Sequence, residues 1–149
     1  MRITLREINE ENRAVCEALR VTPEQECYIA SNAASLRTAE ENPEVARAFL
    51  ICADEQAVGF TMFAFDEEND DPDDKYWLWR FMIDQDMQGQ GFGKAALKEI
   101  IRYFKDRGAD VITLSTKETN TAALALYHQA GFAENGEMND EEIVLKLRL

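Results

Sequence analysis

The stretch RFMIDQDMQGQGFGKAALKEII, residues 80–101, sets an apolar run against a helical pattern and puts three glycines between them. The run stops at Asp84, Gly89, Gly91 and Gly93 follow at every second position, and apolar residues then recur at helical spacing from residue 92. Each glycine costs ordering entropy. Three of them between a strand and a helix point to backbone that something must approach closely. A helix N-terminus offers free N–H groups and the positive end of the helix dipole, so the natural visitor is a phosphate. Two common phosphate cradles are excluded. A P-loop needs G-x-x-x-x-G-K-[ST], but residue 88 is Gln and Ala95 follows Lys94, leaving no hydroxyl for Mg²⁺. A dinucleotide fingerprint starting at Gly89 meets Lys94 at its sixth position. Starting at Gly91 it meets Ala96, but Asp110, about the right distance on, opens the next strand instead of closing one.

Outward from this stretch the chain reads as alternating elements. RITLREI (2–8) alternates as a half-buried strand does. A helix is expected over roughly 10–20, capped by Asn9, with Val15, Cys16 and Leu19 on one face, and a second over 31–42, started by Ser31 or Asn32. RAFLICA and AVGFTMFAF form an expected hairpin around Asp54-Glu55-Gln56. DEENDDPDD (66–74) is a charged loop, and KYWLWRFMID, apolar on both faces, is expected to be a central strand. A helix over 92–107 presents Leu97, Ile100, Ile101 and Phe104 and stops at Gly108. DVITLST is a buried strand, TAALALYHQA a short helix ended by Gly131, and two strands near 132–138 and 142–148 close the chain, with NG (135–136) and ND (139–140) as turn signals. The order, β-α-α-β-β-β-α-β-α-β-β, gives a single mixed α/β domain over 1–149.

Composition agrees. With 149 residues, 46% hydrophobic and 30% charged, the chain is expected to be soluble, and no apolar run approaches the 18 or so residues that span a membrane. The charged N-terminus does not read as a signal peptide, so a cytoplasmic location is expected. A net charge of −13 argues against nucleic acid and suits a small cationic partner. Cys16, Cys27 and Cys52 have no metal-ligand spacing and read as buried, reduced thiols, so no metal is expected.

The loop Gln88-Gly89-Gln90-Gly91-Phe92-Gly93, with Asn120 after the next strand and Tyr127 seven residues later on the next helix, resembles the GNAT superfamily of acetyl-CoA-dependent N-acetyltransferases. The likeness covers 55–132 firmly. It implies a twisted mixed sheet of about six to seven strands flanked by about four helices, with acetyl-CoA as cosubstrate. It implies that the backbone of Phe81, Met82 and Ile83 holds the pantetheine arm as an added strand would be held. The pyrophosphate would rest on the N–H groups of Gly89, Gln90, Gly91, Phe92, Gly93 and Lys94, with the Lys94 charge in support. Asn120 and Tyr127 would contact the cofactor, and Tyr127 would be the general acid that protonates the leaving thiolate. His128, about 100° around the helix from Tyr127, reads as a surface residue.

The base is where this sequence departs from the family pattern. A carboxylate two residues before Phe81, or five before Asn120, would serve, but these positions hold Trp79 and Ser115. The base is then water relayed by the backbone, or another residue, with Glu26, Tyr28 and the 66–74 loop as candidates. In detail the chain is most similar to small bacterial spermine/spermidine acetyltransferases. The similarity lies in Gln25 to Ile29, Val58 to Met62, Trp77 to Asp84 and Gly136-Glu137. A small cationic amine is therefore the expected acceptor, with Glu26, Tyr28, Trp77 and Trp79 as its contacts and cation–π contact at the tryptophans. The acidic loop would add negative field. Alternatives are a protein or peptide N-terminus, an aminoglycoside-like amine, or a silent acetyl-CoA-binding module. Members of the superfamily are often dimers, so a homodimer is among the expected assemblies.

Overall fold

The computed structural model describes residues 2–149. Seven strands form one sheet: β1 (Ile3–Glu7), β2 (Ala46–Ala53), β3 (Gln56–Phe65), β4 (Tyr76–Ile83), β5 (Val111–Thr116), β6 (Ala133–Asn139) and β7 (Glu142–Arg148). Four helices accompany them: α1 (Arg13–Ala18), α2 (Asn32–Glu41), α3 (Phe92–Asp106) and α4 (Thr121–Ala130). The strand order is β1-β2-β3-β4-β5-β7-β6. All neighbours run antiparallel except β4 and β5, which are parallel and share one bridge, Trp77 to Thr113. The seven strands and four helices match the expected architecture, and β4 is the central strand that its two apolar faces required.

Apolar side chains on both faces of the sheet explain why helices cover both. Leu97, Ile100 and Phe104, at the helical spacing read from the sequence, are buried with Phe63, Ile112 and Leu114. Burying one such side chain is worth about 1.5–3 kcal/mol. On the other face, Cys16 of α1 and Leu36 of α2 pack with Leu50, Phe60, Met62 and Met82. Gly59 lies where β3 meets β4, and a Cβ there would stand 2.3 Å from the Met82 carbonyl oxygen.

Three local expectations are corrected. The first helix is shorter than 10–20: Asn9 accepts from the N–H groups of Glu11 and Asn12 in a turn, so its capping capacity is spent before α1 begins at Arg13. The Asn135-Gly136 pair makes no turn between strands. It lies inside β6, where Gly136 has φ +93° and the register to β7 shifts between Glu134 and Met138, the signature of a bulge. The reversal falls at the second signal, with Asp140 at φ +55°. Of the three cysteines, Cys16 and Cys52 are buried, but Cys27 is exposed: Val21 and Ile29 of its segment pack on the core, and the Cys27 thiol turns back to the Glu24 carbonyl.

Candidate active site

Beyond the bridge at Trp77 and Thr113, β4 and β5 stop pairing, and a cavity of about 980 Å³ lies between and beside them. The β4 wall carries a bulge that helps explain the separation. Met62 faces Arg80 and Phe63 faces Leu78, so Trp79 has no partner on β3. An extra residue of this kind sharpens the local twist of its strand. Trp77, Trp79, Phe81, Met82 and Ile83 all line the cavity.

The glycine loop lies at one end. Gly89 has φ +78° and Gly91 φ +86°, left-handed conformations that a side chain would strain. Gly91 is the N-cap of α3, and the Ala95 N–H bonds to its carbonyl. The amides before Ala95 at this helix end have no intrahelical acceptor. The loop is tied back to β4 because the Gln88 side chain donates to the Ile83 carbonyl at 2.9 Å. Gln88, Gly89, Phe92 and Gly93 line the cavity. Gln90, Gly91 and Lys94 are exposed on the outer side of the same turn.

The facing wall comes from β5 and α4. Asn120 occupies the N-cap position of α4, but its side chain caps nothing and donates instead to the Thr116 hydroxyl at 3.1 Å. Tyr127 is 8% exposed, with its ring edge-on to Phe132 at 5.7 Å. Burial pushes its phenol well above the usual range, so the group stays protonated and able to donate. Both residues line the cavity. His128 turns away, exposed, and bonds to Glu134 at 2.6 Å.

Glu26 and Tyr28 also line the cavity, and Tyr28 is hydrogen-bonded to the Thr119 hydroxyl at 3.1 Å. The 66–74 loop is not part of the wall. Asp73 is bound instead by Lys146 at 2.9 Å and Arg148 at 3.1 Å, and its backbone carbonyl accepts from Thr113. The expectation that this loop faces the acceptor is thus corrected: its one half-buried acid is neutralised on the β5–β7 side.

Two wall residues escaped the sequence reading. Arg80 lies over the Trp79 ring, 5.2 Å from its centroid, and donates to the Trp79 carbonyl at 3.2 Å, while its buried Nε has no partner among the described residues. Desolvation lowers its pKa and the charge of Glu142 opposes that shift. Glu142, half-buried at the start of β7, accepts from the Ser115 hydroxyl at 2.8 Å. Arg80 was legible only as an interruption of an apolar strand. Glu142 carried no linear signal, because its partner is 27 residues away and only the β5–β7 register joins them.

A model of the acetyltransferase (GNAT) family matches residues 5–132. The spermine/spermidine N(1)-acetyltransferase of Bacillus subtilis is 33% identical over 153 aligned positions, covering 98% of this chain and 99% of that protein. Among solved structures, an acetyltransferase from Thermus thermophilus superposes with a TM-score of 0.79 at 19% identity, covering 100% of this chain and 98% of that one. A spermidine N-acetyltransferase from Vibrio cholerae, solved with CoA and spermine, superposes with a TM-score of 0.73 at 18% identity over 99% and 94% of the two chains.

Proposed function

The chain belongs to the GNAT family of acetyltransferases, and from that premise we propose that it acetylates a primary amine of a small polycation, spermine or spermidine, using acetyl-CoA. The match across residues 5–132 also supports reading the whole chain as one acetyltransferase domain. The observation that carries the acceptor is the full-length likeness to a spermine/spermidine enzyme, together with a cavity lining that includes two tryptophans and two carboxylates. Trp77 lines the cavity as an aromatic surface for an alkylammonium, Trp79 lines it with the Arg80 guanidinium over one face of its ring, and Glu26 and Glu142 offer charge.

The residues present fit acetyl-CoA. The unpaired edge of β4 at Phe81, Met82 and Ile83 offers backbone groups to the amides of a pantetheine arm. The left-handed turn at Gly89 and Gly91 and the open amides of α3 suit a pyrophosphate, with Lys94 near enough in sequence to add charge. Acetyl-CoA supplies the thioester carbonyl and its thiolate leaving group. Tyr127, held protonated by burial, donates the proton that a departing thiolate needs, and Asn120 orients the cofactor beside it.

A second reading follows from Arg80. Its partnerless Nε–H would donate to a peptide carbonyl, which favours a peptide N-terminus over a plain polyamine. A thiol-release assay with acetyl-CoA separates the two. The panel is spermine, spermidine, putrescine, an aminoglycoside and a short basic peptide. Turnover of spermine and spermidine at least tenfold above the peptide supports the polyamine reading, and the reverse order replaces it.

A further inference from the structure

The attacking amine arrives as an ammonium, with a pKa of about 10.4 in water, and must lose a proton before it can attack. The two positions where a family carboxylate would stand, 79 and 115, hold Trp and Ser. The fold supplies a carboxylate by another route. Ser115 of β5 faces Val144 of β7. Glu142 stands two residues before Val144, so it shares that face of the sheet and is the diagonal neighbour of Ser115, within reach of a long side chain.

The contact is made: the Ser115 hydroxyl donates to Glu142 Oε1 at 2.8 Å, and the Asn139 side chain donates to the same hydroxyl oxygen at 3.4 Å. Oε2 is bonded by no other side chain among the described residues. Ser115, Asn139 and Glu142 line the cavity together with Tyr127. The other carboxylate of the cavity wall, Glu26, is exposed and makes no comparable contact. Arg80 is the cation of this wall whose charge Glu142 balances.

We propose that Glu142 is the general base for the acceptor amine, held in place by Ser115, with Tyr127, which lines the same cavity, as the acid. This deepens the acetyltransferase reading given above and rests on it. One proton passes from the ammonium nitrogen to the Glu142 carboxylate, and the freed lone pair forms the C–N bond. The C–S bond breaks, and the sulfur takes the Tyr127 proton. The second proton leaving nitrogen restores the phenol. Glu142 then releases its proton to solvent, so each cycle converts ammonium and thioester to amide, thiol and one H⁺. Ser115 is a positioning residue.

The test uses the full chain and the amine from the panel that the wild type turns over best. Wild-type turnover tests the functional reading, and the variants test Glu142, so the two fail separately. Glu142→Gln keeps the shape and the serine contact. It should lower kcat at least tenfold at pH 7, within the 10²–10⁴-fold or so that a positioned base contributes. Acetyl-CoA affinity by calorimetry should change less than twofold. The defect should narrow at least fivefold by pH 9.5, where solution supplies more neutral amine. Glu142→Asp should retain more of kcat than Glu142→Gln. A kcat loss under tenfold, or a defect of the same size at both pH values, overturns the assignment. Should Glu142→Gln fail to fold, Glu142→Asp decides: a kcat defect that narrows with pH supports the base, and one that does not overturns it.

Discussion

The side-chain amides of Gln25 and Gln88 bond to each other reciprocally, Gln88 donating to Gln25 at 2.8 Å and Gln25 to Gln88 at 3.1 Å. The pair joins the segment before α2 to the glycine loop, 63 residues on. Gln88 also grips the Ile83 carbonyl. One amide thus sets the loop against both the cofactor strand and the acceptor end.

Gln25→Ala should therefore loosen the loop. Removing one partner of a half-buried amide pair costs about 1–3 kcal/mol. Calorimetric titration should show acetyl-CoA affinity reduced several-fold, with Tm down by a few degrees. Unchanged affinity would show that the glycine loop holds its shape alone.

Tyr127→Phe should leave acetyl-CoA affinity within twofold and lower kcat more than tenfold, since only the donated proton is lost. Steady-state kinetics beside a binding titration checks this. A kcat equal to wild type would remove Tyr127 from the acid role.

Gly59→Ala should be among the most damaging single changes. Its new methyl would stand 2.3 Å from the Met82 carbonyl, and that atom is backbone in the middle of the sheet. Overpacking of this kind costs about 1–3 kcal/mol or more. Thermal unfolding should show a Tm lower by about 3–10 °C, at roughly 2–4 °C per kcal/mol for this size. A Tm within a degree of wild type would mean that β3 and β4 separate at little cost.

Asp73 predicts a pH effect. Hydrogen bonds from Arg148 and Lys146 hold its carboxyl below the ordinary value of 3.8. A carboxylate depressed by folding adds stability that is present above its unfolded pKa and lost as pH falls through the folded value. Wild-type Tm should therefore drop between pH 5 and pH 3, and Asp73→Asn should show a shallower drop and a lower Tm at pH 7. Its kcat at pH 7 should stay within twofold, because the acidic loop does not line the cavity. Parallel slopes in the two proteins would show that the contact is too solvated to matter.

Much of this was readable in the sequence where the signal was local. The central place of β4 followed from apolar residues on both faces, and the covered face of α3 from its spacing. Gly89, Gly91 and Gly93 announced backbone open to close approach, and the left-handed φ of Gly89 and Gly91 was seen only in the structure. What stayed hidden depended on register. Nothing near Glu142 in sequence says that Ser115 lies beside it, since pairing of β5 with β7 alone sets that. The acidic loop misled for the same reason: it adjoins β4 in sequence, yet Asp73 is drawn toward β7 by Lys146 and Arg148. Cys27 was misread because burial of a cysteine depends on what packs above it.

The lone bridge between Trp77 and Thr113 makes the sheet two leaves hinged at one end, like a book. The first leaf, β1 to β4, carries the unpaired edge at residues 81–83, and the second, β5 to β7, carries Ser115 and Glu142 and leads into the helix of Tyr127. A molecule lying in the open spine touches both leaves and takes the place of the missing ladder. The spacing of Tyr127 and Glu142 from the first leaf is then set as much by that molecule as by the chain, so filling the spine would also brace the hinge.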